Sequence, residues 1–408
     1  MECSRRTSFS GLARDYFGTR IAVCSCLLCA LVGAVGIALV DANNAAGLGA
    51  SLFVLSFSSG VILLQSVGEL FPTNQSAIIT SITGAFYLSG LMFLVLGSLP
   101  VTRRVAFLGY AGVLTILVSL AWTLLPNTAR FTKLEKPQCH IKSQNQDYSD
   151  HSGFTLDESE SGSDAIVIEA DCNLPTSQVR IPTKMEQIFS TEYLLLLLWF
   201  SLCYLPGNFY IGSIGFILEE IGDVHGYYTY IFSFIYAGSS LVAPFGGYLS
   251  DRFGLGVTQG LGTVLVSSSL LILGAAKYLP LQAQIASFIC YGVGFLLVSG
   301  TFYSNLGCRF GYTNFGTLGG LGLLVAATFS LLQYPILGLV SNGGTSSAAI
   351  INFSAAAVLL FTMIPYCAWL AVMERRHDAA VSLLKRKEEV VVEEPVDLEQ
   401  EIDIIIEC

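Results

Sequence analysis

Ten apolar stretches, separated by polar turns, run along the chain: 21–40, 47–68, 76–98, 105–125, 192–216, 227–249, 256–276, 281–303, 313–338 and 348–372. About 20 helical residues cross the roughly 30 Å hydrocarbon layer of a bilayer. The pattern therefore predicts an all-α, polytopic membrane bundle. The spans fall into a group of four and a group of six, which divides the chain into five parts. Residues 1–20 form a cytosolic N-terminus, 21–125 a four-span bundle and 126–191 a cytosolic linker. Residues 192–372 form a six-span bundle and 373–408 an acidic cytosolic tail. The linker, rich in Ser, Asp and Glu, reads as disordered. Its Ser159, Ser161 and Ser163 lie among acids as candidate phosphorylation sites, although a plain solvated linker is the simpler reading. The linker or the tail could meet a cytosolic partner.

Composition supports the membrane reading. Of 408 residues 53% are hydrophobic and only 12% charged, against about 25% charged in soluble domains. The net charge of -10 says little about partners, because most acids lie in the linker and tail; a nucleic-acid partner is not expected. Cys24, Cys26, Cys29, Cys203, Cys290 and Cys367 fall inside apolar runs, where Cys packs as a small hydrophobe. No cysteine spacing points to a disulfide framework or a metal site, and no cofactor is expected. The 40 glycines, Gly84, Gly90 and the Gly316–Gly322 cluster among them, allow membrane helices to approach closely. With the N-terminus inside, only Arg103, Arg104 and Lys277 fall outside, so the positive-inside rule puts both termini in the cytosol. The membrane is expected to be the plasma membrane or an endomembrane. The first run, 20 residues from Ile21, is longer than a signal peptide's core of about 7–15 residues.

One charged turn recurs. Gly247, Asp251 and Gly254 repeat the spacing of Gly11, Asp15 and Gly18, each 236 residues earlier. A turn repeated between hydrophobic spans points to a duplicated bundle. The second copy follows two spans of its half, whereas the first precedes every span, so two N-terminal spans of a full repeat are expected to be missing from this chain. Asp251, with Arg252 beside it, is expected to accept from the N-terminal N–H groups of the next span and to pair with a basic side chain. Asp15 and Arg20 are its counterparts. Such a latch would hold one shape of a gate.

Gly247, Asp251, Arg252 and Gly254, in a loop between the second and third spans of a half, resemble the signature of the major facilitator superfamily, whose bundles are 6 + 6. Gly11, Asp15, Gly18 and Arg20 match it more loosely, with Tyr16 where a basic residue is usual; Leu255 and Gly256 replace the basic pair after the second copy. A narrower resemblance joins Phe315 to Leu321 and Ser330 to Pro335, Phe71-Pro72 with Thr83 to Phe86, and Phe209 to Gly212 near Glu219 and Glu220. These look like the sodium-independent large neutral amino acid transporters of that superfamily. The resemblance implies an amino acid carrier working by alternating access, although Tyr87 stands where that branch carries an acid.

No Asp, Glu, Lys, Arg or His lies in the interior of an apolar run other than at the motif turn. Ion-coupled transporters rely on such groups, so facilitated diffusion by a uniporter is expected. A mostly apolar cavity with a few fixed polar groups suits a neutral solute. The candidate substrate-binding residues are Asn208, Tyr210, Tyr236, Tyr291, Gln333 and Asn352, with Ser89 also at mid-span. Pro206-Gly207 is expected to break its span and expose backbone groups to the solute. No hydrolase, zinc-protease or phosphate-loop pattern occurs, so no enzyme is expected. The other reading is a non-transporting or truncated relative that acts as a sensor or interaction protein.

Overall fold

The computed structural model describes residues 11–41, 44–98, 101–125 and 183–391, and among these there is helix but no strand. Arg5, Arg6, the linker serines and the tail from residue 392 lie outside the described residues. A short helix α1 (residues 11–17) leads into α2 (Thr19–Leu39), α3 (Ala45–Leu55), α4 (Gln75–Ser98) and α5 (Arg103–Leu124). After the linker come α6 (Lys184–Ile188), α7 (Thr191–Glu220), α8 (Tyr227–Gly238), α9 (Ala243–Phe253) and α10 (Leu255–Gly274). The chain continues through α11 (Gln284–Asn305), α12 (Phe315–Ser330), α13 (Gln333–Val358) and α14 (Ile364–Val391). We call α1–α5 the first half and α7–α14 the second.

Among the described residues, seven helical stretches are long and apolar enough to cross a membrane, among them Thr19–Leu39, Thr191–Glu220 and Leu255–Gly274. Of the other three apolar runs, 76–98 is the single helix α4 and two are interrupted. Run 47–68 is α3 followed by a 3₁₀ stretch, Ser56–Leu70, where Ser58-Ser59-Gly60 supplies residues poorly suited to a helix interior. Run 227–249 is α8, a 3₁₀ turn at Ser239–Val242, and α9. Pro244 in the first turn of α9 has no N–H to donate and would clash with the carbonyl four residues back, so the α-helix restarts there.

Pro206 behaves differently from expectation. It lies inside α7, which runs unbroken from Thr191 to Glu220. Packing holds the helix across the proline: Gly207 has no Cβ, so the Phe295 ring can lie against its backbone, and the Gly207 carbonyl accepts from the Tyr291 hydroxyl at 2.9 Å. A kink falls instead inside α13 at Gly344, at φ 61°, a conformation that favours glycine. There Glu220, at the end of α7, accepts from Thr345 N–H at 3.0 Å.

Two apolar cores result. A small one joins Val23, Leu27, Ala30 and Ala34 of α2 to Ala111 and Leu114 of α5. The larger core is built from the second half, and Ile79 and Tyr87 of α4 belong to it. Although α4 lies in the first half of the chain, it packs on α8, α9 and α11. Small residues permit this: a Cβ on Gly84 would stand 3.2 Å from the Ser240 carbonyl, and one on Gly300 would stand 2.6 Å from Thr80 Cγ2. The boundary between the halves thus runs along α4.

Candidate functional site: the interface between the halves

The two charged turns meet the opposite half at one end of the bundle. Asp251, in the last turn of α9, accepts from the N–H groups of Ser76 and Ala77, both at 2.9 Å. These begin α4, so Asp251 caps a helix of the first half and not the next span, as expected from sequence. Two local reasons account for the difference. The start of α10 is already served by Glu374, which accepts from Gly256 N–H at 2.8 Å. Gly247 also lets α9 lie directly on the backbone of Ser76 and Ala77, where a side chain would collide. The free N–H groups at a helix start favour a carboxylate.

The first copy does the reverse. Asp15 accepts from Gly316 N–H at 3.3 Å and from Thr317 N–H at 2.8 Å, and from the Thr317 hydroxyl at 2.5 Å. These open α12 in the second half. Gly11 lies on the backbone of Gly316 as Gly247 lies on Ala77. The closing glycines share their geometry: Gly18 has φ 90° and ψ 163°, and Gly254 has φ 95° and ψ 156°.

The basic residues of the motif do not pair as expected. Arg20 donates to the Leu125 carbonyl at 2.5 Å and lies 5.9 Å over the Trp122 ring, clasping the end of α5. Arg252 is exposed, and no salt bridge joins it to Asp251 among the described residues. The partner of Asp15 is Arg14, at 3.0 Å, with both side chains fully buried. Burial lowers the Arg14 pKa, and Asp15 opposes that shift. Arg14 and Glu374 went unremarked in the sequence. Arg14 carries a legible signal, a basic side chain directly before the motif aspartate. Glu374 has none, since its partners Gly256 and Arg309 (2.6 Å) are remote in the chain.

Around these caps, α6 clips the loop between α11 and α12. Gln187 donates to the Phe310 carbonyl at 3.3 Å and accepts from the Asn314 amide at 2.8 Å, while Lys184 lies 4.7 Å over Tyr16. A cavity of about 810 Å³ opens beside Asp251, lined by Gln75, Glu192, Arg309 and Glu374 among others.

Halfway along the bundle the halves meet through aromatic rings. Tyr87 of α4 lies 5.0 Å from the Tyr236 ring of α8 and 6.5 Å from Phe295 of α11. Its hydroxyl donates to the Phe295 carbonyl at 3.1 Å and lies 3.1 Å from Ser299 Oγ. Tyr204 stacks on Phe295 at 5.5 Å, Phe295 on Tyr291 at 5.5 Å and Tyr236 on Tyr291 at 5.9 Å. Tyr204, Tyr236 and Asn208 are only half-buried. The Asn208 amide donates to the Tyr204 carbonyl at 2.9 Å and to Ser330 Oγ of α12 at 3.3 Å.

The other sequence candidates sit elsewhere. Tyr210 and Tyr291 are fully buried and stacked at 4.1 Å. The Tyr210 hydroxyl lies 2.6 Å from Ser287, which itself donates to the Ser269 carbonyl. These two rings hold α7 to α11. Asn352 is fully buried in α13 and donates back to the Ala348 carbonyl at 2.9 Å. Gln333 is half-buried at the first turn of α13. The described side chains do not include Ser89. Tyr204 and Phe295 were missed in the sequence, because an aromatic in an apolar run carries no mark that separates a wall residue from a core residue.

Known proteins resemble this arrangement. Across an alignment of 394 positions, covering 87% of this chain and 78% of the relative, the chain is 26% identical to the equilibrative nucleobase transporter 1 of Bos taurus. Its fold is similar to that of a proton:xylose symporter bound to 6-bromo-6-deoxy-D-glucose, with a TM-score of 0.57 at 12% identity, covering 88% of this chain and 83% of the other. It is also similar to the human organic anion transporter TETRAN, with a TM-score of 0.57 at 14% identity, covering 88% and 80%. The large neutral amino acid branch implied by the narrower resemblance finds no support in these relatives. Residues 7–327 match the profile of the Major Facilitator Superfamily, which spans both copies of the charged turn, and with that match over most of its length the chain belongs to this superfamily of membrane transporters.

Proposed function

We propose that the chain is a facilitative carrier of uncharged, flat aromatic solutes of the nucleobase class, moved by alternating access between its halves. The observation that carries the solute class is the aromatic cluster at mid-depth, where the half-buried Tyr204 and Tyr236 lie to either side of Phe295 and Tyr87, with the Asn208 amide beside it. A planar heterocycle stacks on such rings for about 1–3 kcal/mol per base, and an amide can read its polar edge. The similarity to a bovine nucleobase transporter supports the same class. Large neutral amino acids, implied by the sequence resemblance, are the rival reading. A zwitterion brings an ammonium and a carboxylate, and ionic groups away from water need partners; the interiors of the apolar runs hold no Asp, Glu, Lys, Arg or His.

In this reading the two aspartate caps form the gate, with Gly11, Asp15, Gly18, Gly247, Asp251 and Gly254 closing the cytosolic end. Arg20 and Arg252 serve as clasp and surface charge. Both termini lie in the cytosol, as the distribution of Lys and Arg implies. Purified protein in liposomes tests the function with labelled adenine, hypoxanthine, leucine and phenylalanine. Saturable nucleobase uptake, indifferent to an imposed proton gradient, is expected. Leucine uptake without nucleobase uptake overturns the solute class, and uptake driven by the gradient overturns facilitated diffusion. No saturable uptake of any of them favours the sensor reading.

A further inference from the structure

One side chain at the motif end touches both capped helix starts. Tyr312 lies in the loop between α11 and α12 and is 4% exposed. Its ring stacks on Phe315, the first residue of α12, at 5.5 Å and 28°. Its carbonyl accepts from Arg14 at 3.3 Å, and Arg14 adjoins the Asp15 that caps α12. Its hydroxyl crosses to the first half and accepts from Gln75 Nε2 at 2.5 Å. Gln75 is the first residue of α4 and precedes Ser76, whose N–H Asp251 takes.

The hydroxyl occupies a slot kept open by two glycines. A Cβ on Gly68 would stand 3.1 Å from that oxygen and one on Gly307 would stand 2.7 Å from it. Gly68 belongs to the first half and Gly307 to the second, so the slot exists only when the halves are together. Burial pushes the Tyr312 phenol up, so the group keeps its proton.

We propose that Tyr312 is a positioning residue for transport: it ties the capped start of α12 to the capped start of α4, so that the two aspartate caps release together. The proposal rests on the alternating-access reading above. Either cap could otherwise open by itself, because Asp15 and Asp251 share no ligand. With the Tyr312–Gln75 bond in place, separating either helix start from its cap strains the other.

Tyr312→Phe tests this in the full chain, because it keeps the ring, the Phe315 stack and the carbonyl and removes only the hydroxyl. The readout is the distance distribution between spin labels at the exposed Phe71 and Phe253, measured in nanodiscs. Tyr312→Phe should raise the open fraction at this end about fivefold, the shift expected for one hydrogen bond. Gln75→Ala should do the same, and the double variant should go no further than either single one. An unchanged distribution in Tyr312→Phe overturns the proposal, as do single effects that add. A lowered melting temperature with no change in open fraction assigns Tyr312 a structural role only and also overturns it. A wild type that shows one distance under every condition overturns alternating access itself, and the role of Tyr312 falls with it.

Discussion

The two copies of the Gly-x3-Asp-x2-Gly turn share their backbone and differ in their surroundings. Gly18 and Gly254 have nearly the same φ and ψ, and each aspartate caps a helix of the opposite half. Around Asp15, however, the ion pair is buried: the carboxylate has no exposure, the equally buried Arg14 pairs with it, and the Thr317 hydroxyl adds a third kind of donor. Asp251 is an exposed residue with two backbone N–H groups as partners. Burial makes the first copy costly to break and the second cheap. A duplicated motif can thus keep one geometry while one copy becomes the stronger and the other the weaker hold of a single latch.

The largest effect should come from Asp15→Ala. It strips a buried Arg14 of its carboxylate, and breaking a buried pair costs roughly 3–5 kcal/mol. Asp251→Ala loses only a cap, about 1 kcal/mol. Thermal melts of the two variants in detergent should therefore differ by several degrees, and equal melting temperatures would erase the distinction between the stronger and the weaker hold. Gly11→Ala and Gly247→Ala come next, at about 1–3 kcal/mol each for forced displacement of backbone. Here the copies should agree, because each glycine lies on the backbone of the helix its motif caps. A Gly247→Ala protein as stable as wild type would show that the second contact is not close in the membrane. Smaller again is Glu374→Gln, which weakens the half-exposed pair with Arg309 and the cap on Gly256. It should cost about 1 kcal/mol, read as a drop in melting temperature. Arg252→Ala should be smallest, within about 0.5 kcal/mol, and a large loss of stability there would reveal a role for this exposed side chain.

Much of the architecture was legible from local rules. Apolar run length gave helices, and the spacing of Gly, Asp and Gly located both turns. What was illegible involved partners distant in the chain. Asp251 was expected on the next helix because that helix is near in sequence; the one it caps begins 175 residues earlier. Pro206 was expected to break α7 because proline removes a donor, but Phe295 and Tyr291 hold the helix from another span. Tyr210 and Tyr291 looked alike to Tyr236 as polar groups in apolar runs. Only packing separates the first two, stacked in the core, from the third, which faces the junction between halves. The narrower branch resemblance finds no support in the relatives for a related reason. Short glycine-rich strings report helix packing, which carriers of different solutes share.

The exchange of caps also has a consequence in time. When α4 leaves the ribosome, the aspartate that caps it has yet to be made, 175 residues downstream. At about 5–20 residues per second, the start of α4 stays open for roughly 10–35 s. Asp15 waits longer, for a helix start about 302 residues away. During synthesis the first half therefore sits in the membrane with an unserved helix start and a buried-type carboxylate still looking for its partner.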